Sequence, residues 1–299
     1  MTERSIALVS GATGFIGSNL VKALIARGQA VFVLAREGTD TTGAETVGAK
    51  VIRNTGGTLE LVKALSALQP QTVFHLASYF TADHKPAEVD SLINSNLGFS
   101  TQLLEASVLA GCKKFVNAGT NWQHYDSQNY SPACLYAATK EAFEAILRYY
   151  SDASGLRVLT LKLFDSYGPN DSRRKLLALL SEALRTGQPL GMSPGEQKIN
   201  FVHVDDIVRA FLHAEAMLEQ MSLGSMRSFA VRSDEDFTLR ELVSLLGEIT
   251  GKTLAIRFGD RPYRAREVMT PWKGEVLPGW RPEISLENGL RCLFGNGNV

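Results

Sequence analysis

The chain has few cysteines, no excess charge of either sign and no long apolar run. Its 299 residues include 3 cysteines, Cys112, Cys134 and Cys292, far apart and without a CxxC pair. Neither a disulfide framework nor a thiolate metal site is expected from that pattern, and reduced thiols fit a cytoplasmic location. Cys134, two residues before Tyr136, reads as a small buried residue. The 31 Lys and Arg residues balance 31 Asp and Glu residues. No basic block of the nucleic-acid type is present, and Arg173-Arg174-Lys175 reads as the opening of a solvated helix. An anionic ligand must therefore be held by local groups and not by a global field. No apolar stretch approaches the about 18 residues needed to span a membrane. The N-terminus runs straight into a strand, leaving no room for a signal peptide. The reading therefore expects no metal, nucleic-acid or membrane partner.

What the chain does have is alternation. Strand-like runs at 5–10, 30–35, 49–53, 72–77, 114–118 and 157–163 are separated by segments of helical period, among them 91–110 and 136–153. Near-continuous apolar strands alternating with helices predict an α/β fold: a doubly wound, Rossmann-like parallel sheet covered on both faces. After residue 163 the pattern changes. Tyr167-Gly168-Pro169-Asn170 is a loop signal, a helix is predicted over 172–187, and 189–200 reads as loop. Phe201 to Asp206 leads into a helix with an aspartate as its expected N-cap. Thr238 and Glu241 have capping-box spacing, and a short helix starts from Ser285.

Directly after the first strand stands Gly11-Ala12-Thr13-Gly14-Phe15-Ile16-Gly17. Glycine at these points allows a tight turn, close backbone approach to a pyrophosphate and close helix–strand packing. The helix that follows turns its free N–H groups toward the phosphates. The second strand ends in Ala35-Arg36, where an acidic residue would bind the ribose 2′-hydroxyl of NAD. Without that carboxylate, and with a guanidinium able to clamp a 2′-phosphate, NADP(H) is favoured, with NAD(H) the alternative. Arg36 can also simply stack on adenine.

Tyr136 and Lys140 are four residues apart, so on a helix they share a face. A free tyrosine titrates at about 10, and a neighbouring ammonium is expected to lower that value and make the phenol a working acid–base. Thr120, at the mouth of the strand over 114–118, can donate to a substrate oxygen as charge develops on it. Glycine motif and Tyr–Lys pair together point to redox chemistry at a carbonyl or alcohol.

On these residues the chain resembles the extended short-chain dehydrogenase/reductase superfamily, in its nucleotide-sugar epimerase/dehydratase/reductase branch. The resemblance extends over nearly the whole length through His75-Leu76-Ala77, Asn96, Leu163 to Pro169 and Phe201 to Asp206. It implies a dinucleotide-binding domain over 1–163 plus about 201–231, and a smaller α/β substrate domain over about 164–200 plus 232–299. It also implies a nucleotide-diphosphate sugar as ligand and a homodimer built on helices 91–110 and 136–153. The implied cofactor-binding residues are Gly11, Thr13, Gly14, Phe15, Ile16, Gly17, Arg36, Leu76, Ala77, Asn96, Tyr136 and Lys140. The implied catalytic set is Thr120, Tyr136 and Lys140. Asn121, Trp122, Gln123, Asp165, Arg261 and Arg264 are the candidate substrate contacts. Trp122 packs on the sugar face or serves the fold, and Gln123 reads hydroxyls.

Departures from the family pattern narrow the expected activity. The 4,6-dehydratases of the family carry Thr-Asp-Glu where this chain has Thr120-Asn121-Trp122, so the elimination lacks its carboxylates. Asp165 replaces a common asparagine, and Ile199 an arginine that often meets the phosphates; Arg261, Arg264 and Arg266 can compensate or can be solvated loop residues. The chain around Thr120, Tyr136 and Asp165 is most similar to bacterial 4-keto-6-deoxyhexose reductases of the CDP-paratose and CDP-abequose synthase type. The expectation is NADPH-dependent reduction of the C4 ketone of an NDP-4-keto-6-deoxyhexose. A 4-epimerase of an NDP-sugar is the alternative, and a non-catalytic dinucleotide sensor, which would lack the Tyr–Lys pair, is less favoured.

Overall fold

The computed structural model describes residues 5–127 and 129–295. A parallel seven-stranded sheet forms its centre. Its first six strands in the chain are β1 (Ile6–Ser10), β2 (Ala30–Arg36), β3 (Lys50–Asn54), β4 (Thr72–His75), β5 (Lys114–Thr120) and β6 (Arg157–Leu163). A short strand β7 (Asp165–Tyr167) follows, then β8 (Leu190–Met192), β9 (Lys198–Ile199) and β10 (Phe201–His203). Strand β11 (Met226–Val231) returns to the sheet, whose order is β11-β6-β5-β4-β1-β2-β3. Strand order reverses between β1 and β4, and in such sheets the crevice beyond that point receives ligands.

Two-residue alternation sends successive side chains to opposite faces. Ala7 and Val9 of β1 join one apolar layer with α1 (Phe15–Ala26), through Leu20 and Leu24. Leu8 joins the other layer, where α2 (Thr42–Thr46) takes no part but Leu61 and Leu65 of α3 (Thr58–Leu68) pack. The predicted helix 91–110 is three pieces: α4 (Val89–Ile93), a π-helical segment over Asn94–Phe99 and α5 (Ser100–Leu109). Such insertions frequently occur at functional sites. Helix α6 (Leu135–Ser154) covers the same face through Phe143 and Leu147.

A separate apolar cluster forms beyond the sheet. It joins α7 (Leu176–Thr186) to α9 (Leu239–Thr250) and α10 (Leu286–Phe294), while α8 (Val204–Gln220) packs back on the large sheet through Ile207 and Phe211. The region expected to be loop over 189–200 contains β8 and β9. These pair with β13 (Ile256–Phe258) and β12 (Phe237–Thr238) respectively, partners too remote in sequence for a local pattern to reveal. The N-cap of α8 is His203, whose ring accepts from Asp205 N at 3.3 Å, not an aspartate as the sequence predicts. Asp206 is instead in the first turn, fully buried. Its carboxylate accepts from Glu283 N (3.2 Å) and Ile284 N (3.1 Å) and pairs with Arg209. Trp280 Nε1 donates to the Asp206 carbonyl at 3.0 Å, so residues 280–284 are tied to the helix that backs the sheet.

Candidate active site

The end of β1 becomes the glycine turn because no other residue fits there. Gly11 has φ +73°, and a Cβ on it would stand 2.5 Å from Ala77 N. A Cβ on Gly17 would be driven into the Gly11 carbonyl, 2.8 Å from its carbon and 2.9 Å from Ala12 Cα. Gly14 caps α1 with no side-chain bond, and the first turn carries no acidic residue. The helix therefore offers uncapped N–H groups and no competing carboxylate, an arrangement that fits the pyrophosphate of a dinucleotide. Below the turn, His75 is fully buried between Ser10 Oγ (2.7 Å) and Ser100 Oγ (2.8 Å). Burial holds its pKa well below the ordinary histidine value, so it is a neutral bridge between β1, β4 and α5.

Asn96 sits on the π-helical segment and is buried. Its Oδ1 accepts from Tyr79 N (2.8 Å), and its Nδ2 donates to Tyr79 O (3.0 Å) and Thr139 Oγ1 (3.0 Å). It clamps the loop after β4 onto α6. That loop carries Ser78, which hydrogen-bonds the Tyr136 hydroxyl.

Thr120 ends β5 and caps a 3₁₀ turn over Asn121–Gln123, its Oγ1 accepting from Trp122 N at 3.3 Å. Gln123 does not read substrate hydroxyls, as expected from sequence; it is fully buried beneath the site. Its Oε1 accepts from Thr120 N (2.9 Å) and its Nε2 donates to Glu141 (2.6 Å) and Glu144 (2.7 Å). Lys162 completes this buried network 2.8 Å from Glu144. A lone glutamine in a polar run gives no sign of such inward packing, because its partners come from α6 and β6. Asn121 Nδ2 is likewise engaged, donating to Leu163 O at 3.1 Å.

Tyr136, Lys140, Thr120, Asn121, Trp122 and Asp165 share one cavity of about 270 Å³ with Gly11, Gly14, Phe15, Ile16, Gly17 and Leu76. Burial pushes the Tyr136 phenol up to about 12, against the pull of the Ser78 hydrogen bond. Burial likewise pushes Lys140 down to about 8, against the Glu144 carboxylate. From sequence, Lys140 is expected to lower the phenol; here burial is the largest influence on both groups, and the phenol is raised instead.

Other expected site residues lie apart from this cavity. Thr13 is exposed on the glycine turn, and Ala77 packs under Gly11. Arg36 is exposed at the end of β2, the strand beside β1. Arg261 is exposed and does not line the cavity; its backbone N–H bonds Met192 O at 3.1 Å. Arg264 reaches the rim, its guanidinium 5.5 Å over the Trp122 ring, whereas Arg266 bonds Ser131 Oγ at 2.8 Å.

Lining residues that the sequence does not single out as site candidates include Ser78, Phe80, Arg173 and Lys175. Arg173 and Lys175 also border a second cavity of about 340 Å³ that adjoins the first along Asp165 and Ser166. Arg173 forks onto Asp171 with two bonds of 2.7 Å and lies 4.4 Å over the Phe15 ring. The run Arg173-Arg174-Lys175 is thus not the solvated start of a helix: α7 begins at Leu176, and only Arg174 points out, with its side chain 82% exposed. The available signal is two-residue alternation in an extended approach to the helix. Among the described residues, no cluster of three or more His, Cys, Asp or Glu side chains can hold a metal, and no helix is long and apolar enough to cross a membrane.

The family model of the NAD dependent epimerase/dehydratase family matches residues 7–225. CDP-abequose synthase of Yersinia pseudotuberculosis is 27% identical over 270 residues, covering 88% of this chain and 90% of that protein. The solved UDP-glucose 4-epimerase of Thermotoga maritima, with UDP-glucose, is 26% identical with a TM-score of 0.80; that of Thermus thermophilus, in complex with NAD, is 26% identical with a TM-score of 0.79. Each structural match covers 96% of both chains.

Proposed function

Because the chain belongs to the NAD dependent epimerase/dehydratase family, we propose that it reduces the C4 ketone of an NDP-4-keto-6-deoxyhexose with NADPH. The observation that carries this reading is the convergence of Thr120, Tyr136 and Lys140 with the glycine turn in a single cavity. Gly11, Gly14 and Gly17 hold the dinucleotide, with Leu76 beside them and Arg36 toward the 2′-phosphate. A reduced nicotinamide, when bound, supplies the hydride. Tyr136 gives its hydroxyl proton to the ketone oxygen, and the Lys140 ammonium stabilises the phenolate left behind. The Thr120 hydroxyl, accepting from Trp122 N, keeps its own hydrogen for the same oxygen. Asn121 and Trp122 supply neither carboxylate for dehydration.

The Ala35-Arg36 pair supports NADPH over NADH, and similarity to CDP-abequose synthase supports the deoxysugar. Likeness to the solved UDP-glucose 4-epimerases favours a second reading, 4-epimerisation by the same residues without net reductant. We further place the nucleotide sugar between residues 1–163 with 201–231 and the remaining chain. The exposed Leu109 and Tyr149 of α5 and α6 support a homodimer through those helices.

The test is oxidation of NADPH and NADH against CDP-, dTDP-, GDP- and UDP-4-keto-6-deoxyhexoses. Stoichiometric NADPH consumption with one of them is the expected result. Interconversion of 4-epimers with no net consumption establishes the second reading instead.

The pH profile should carry the sign of Lys140. Its ammonium is present below about 8 and lost above, while Tyr136 keeps its proton to about 12. The kcat/KM for ketone reduction should therefore be level below about 8 and fall as pH rises through it, and Lys140→Arg should move the fall upward. A profile flat to the tyrosine limb would contradict this role for Lys140.

A further inference from the structure

Phe80 lies in the loop after β4, 51% exposed although its neighbour Tyr79 is clamped by Asn96. Its ring stands edge-on to Tyr136, with centroids 4.9 Å apart at 83°, and is tilted against Trp122 at 5.8 Å. Both rings line the cavity of the glycine turn and Thr120. A large aromatic half-open on a cleft wall, in a loop tied down at its neighbour, leaves apolar surface for a ligand to cover.

Given the reading of this cavity as a nucleotide-sugar site with O4 at Tyr136, we propose that Phe80 and Trp122 form an apolar wall that receives the sugar's C6 methyl group and thereby selects 6-deoxy sugars. The carbons flanking C4 are C3, which carries a hydroxyl in an ordinary hexose, and C5, which carries C6. A ring packed directly against Tyr136 is beside one of these two positions. Carbon faces suit the methyl and penalise a hydroxyl that exchanges water for no partner. Of the polar side chains nearby, Asn121 donates to Leu163 O and Gln123 is buried in its carboxylate network, while the Arg264 guanidinium lies 5.5 Å over the Trp122 ring, which leaves Phe80 as the open part of the wall. The Lys175 ammonium, 5.8 Å from the Phe80 centroid, is opposed by the Asp165 and Asp171 carboxylates and reinforced by the Arg173 guanidinium. Phe80 is thus a specificity-determining residue, distinct from the proton-transfer set.

The experiment is calorimetric titration of the NADP⁺-loaded protein with matched pairs of NDP-glucose and NDP-6-deoxyglucose on cytidine, thymidine, guanosine and uridine diphosphates. The bare nucleotides and UDP-glucuronate serve as references. The tightest pair should favour the 6-deoxy sugar by about 10- to 100-fold, the discrimination an apolar pocket achieves against an added hydroxyl. Phe80→Ala should bring that ratio near one while the bare nucleotide binds as before. Phe80→Leu, which keeps an apolar side chain, should retain most of the preference. A wild-type ratio near one, a preference for the hydroxylated sugar or the uronate, or a ratio undisturbed in Phe80→Ala overturns the wall. Failure of every nucleotide and nucleotide sugar to bind overturns the nucleotide-sugar reading itself. A preserved 6-deoxy preference without ketone reduction leaves the wall standing and removes only the reductase.

Discussion

Tyr136→Phe should lower kcat for ketone reduction by about a hundred- to ten-thousand-fold, the range that a positioned acid–base contributes. The substitution removes only the hydroxyl. It leaves the ring packed edge-on against Phe80 and leaves the turn of α6 that carries Lys140. Binding of NADPH, followed by its fluorescence, should therefore persist, since the glycine turn and Arg36 are untouched. The combination separates chemistry from assembly. Normal turnover by Tyr136→Phe would remove the tyrosine from the mechanism, whereas loss of NADPH binding would make its hydroxyl a cofactor contact. Ser78 is the control: it shares a hydrogen bond with Tyr136 but offers no proton of suitable acidity at neutral pH, so Ser78→Ala should cost far less.

The second large effect is expected at the glycine turn. A methyl group on Gly17 meets main chain on the first turn of α1, and neither the Gly11 carbonyl nor Ala12 can yield without moving β1. Overpacking of this kind costs about 1–3 kcal/mol where side chains can adjust, and here the obstacle is backbone. Gly17→Ala should lower the melting temperature and abolish measurable dinucleotide binding. Gly28 provides the comparison. It has φ +82° with open space around its missing side chain, so Gly28→Ala should cost only the left-handed term of about 1–2 kcal/mol and leave cofactor affinity intact. Equal effects of the two substitutions, in melting and in binding, would contradict the steric account.

The contrast between those glycines illustrates which parts of the molecule are legible in sequence. A turn whose requirement is local, Gly11 to Gly17 between an apolar strand and an amphipathic helix, can be read directly. So can the four-residue spacing of Tyr136 and Lys140, because one helix carries both. The six strands preceding residue 164 are legible for the same reason: each is a short apolar run set between helical segments. Strand β11 is not evident, since Met226-Arg227-Ser228 opens it with mixed character and its partner β6 is remote in the chain. The π-helical segment hides inside an apolar period that also suits an unbroken helix. Gln123, Arg173 and Lys175 carry polar side chains whose direction depends on what the tertiary fold places above or below them. Sequence therefore locates the chemistry better than it locates the walls around it.

The attachment of residues 280–284 to Asp206 also bears on how this protein comes to exist. A ribosome delivers the strands β1 to β6 and the glycine turn early. Asp206 emerges well before Trp280, which bonds its carbonyl, and before Glu283 and Ile284, whose backbone N–H groups bond its carboxylate. Until those residues leave the exit tunnel, the Asp206 carboxylate has Arg209 of its own helix but lacks its two backbone N–H donors, and burying it short of them is costly. Helix α8 therefore gains the full set of partners for its buried carboxylate only when residues 280–284 are present.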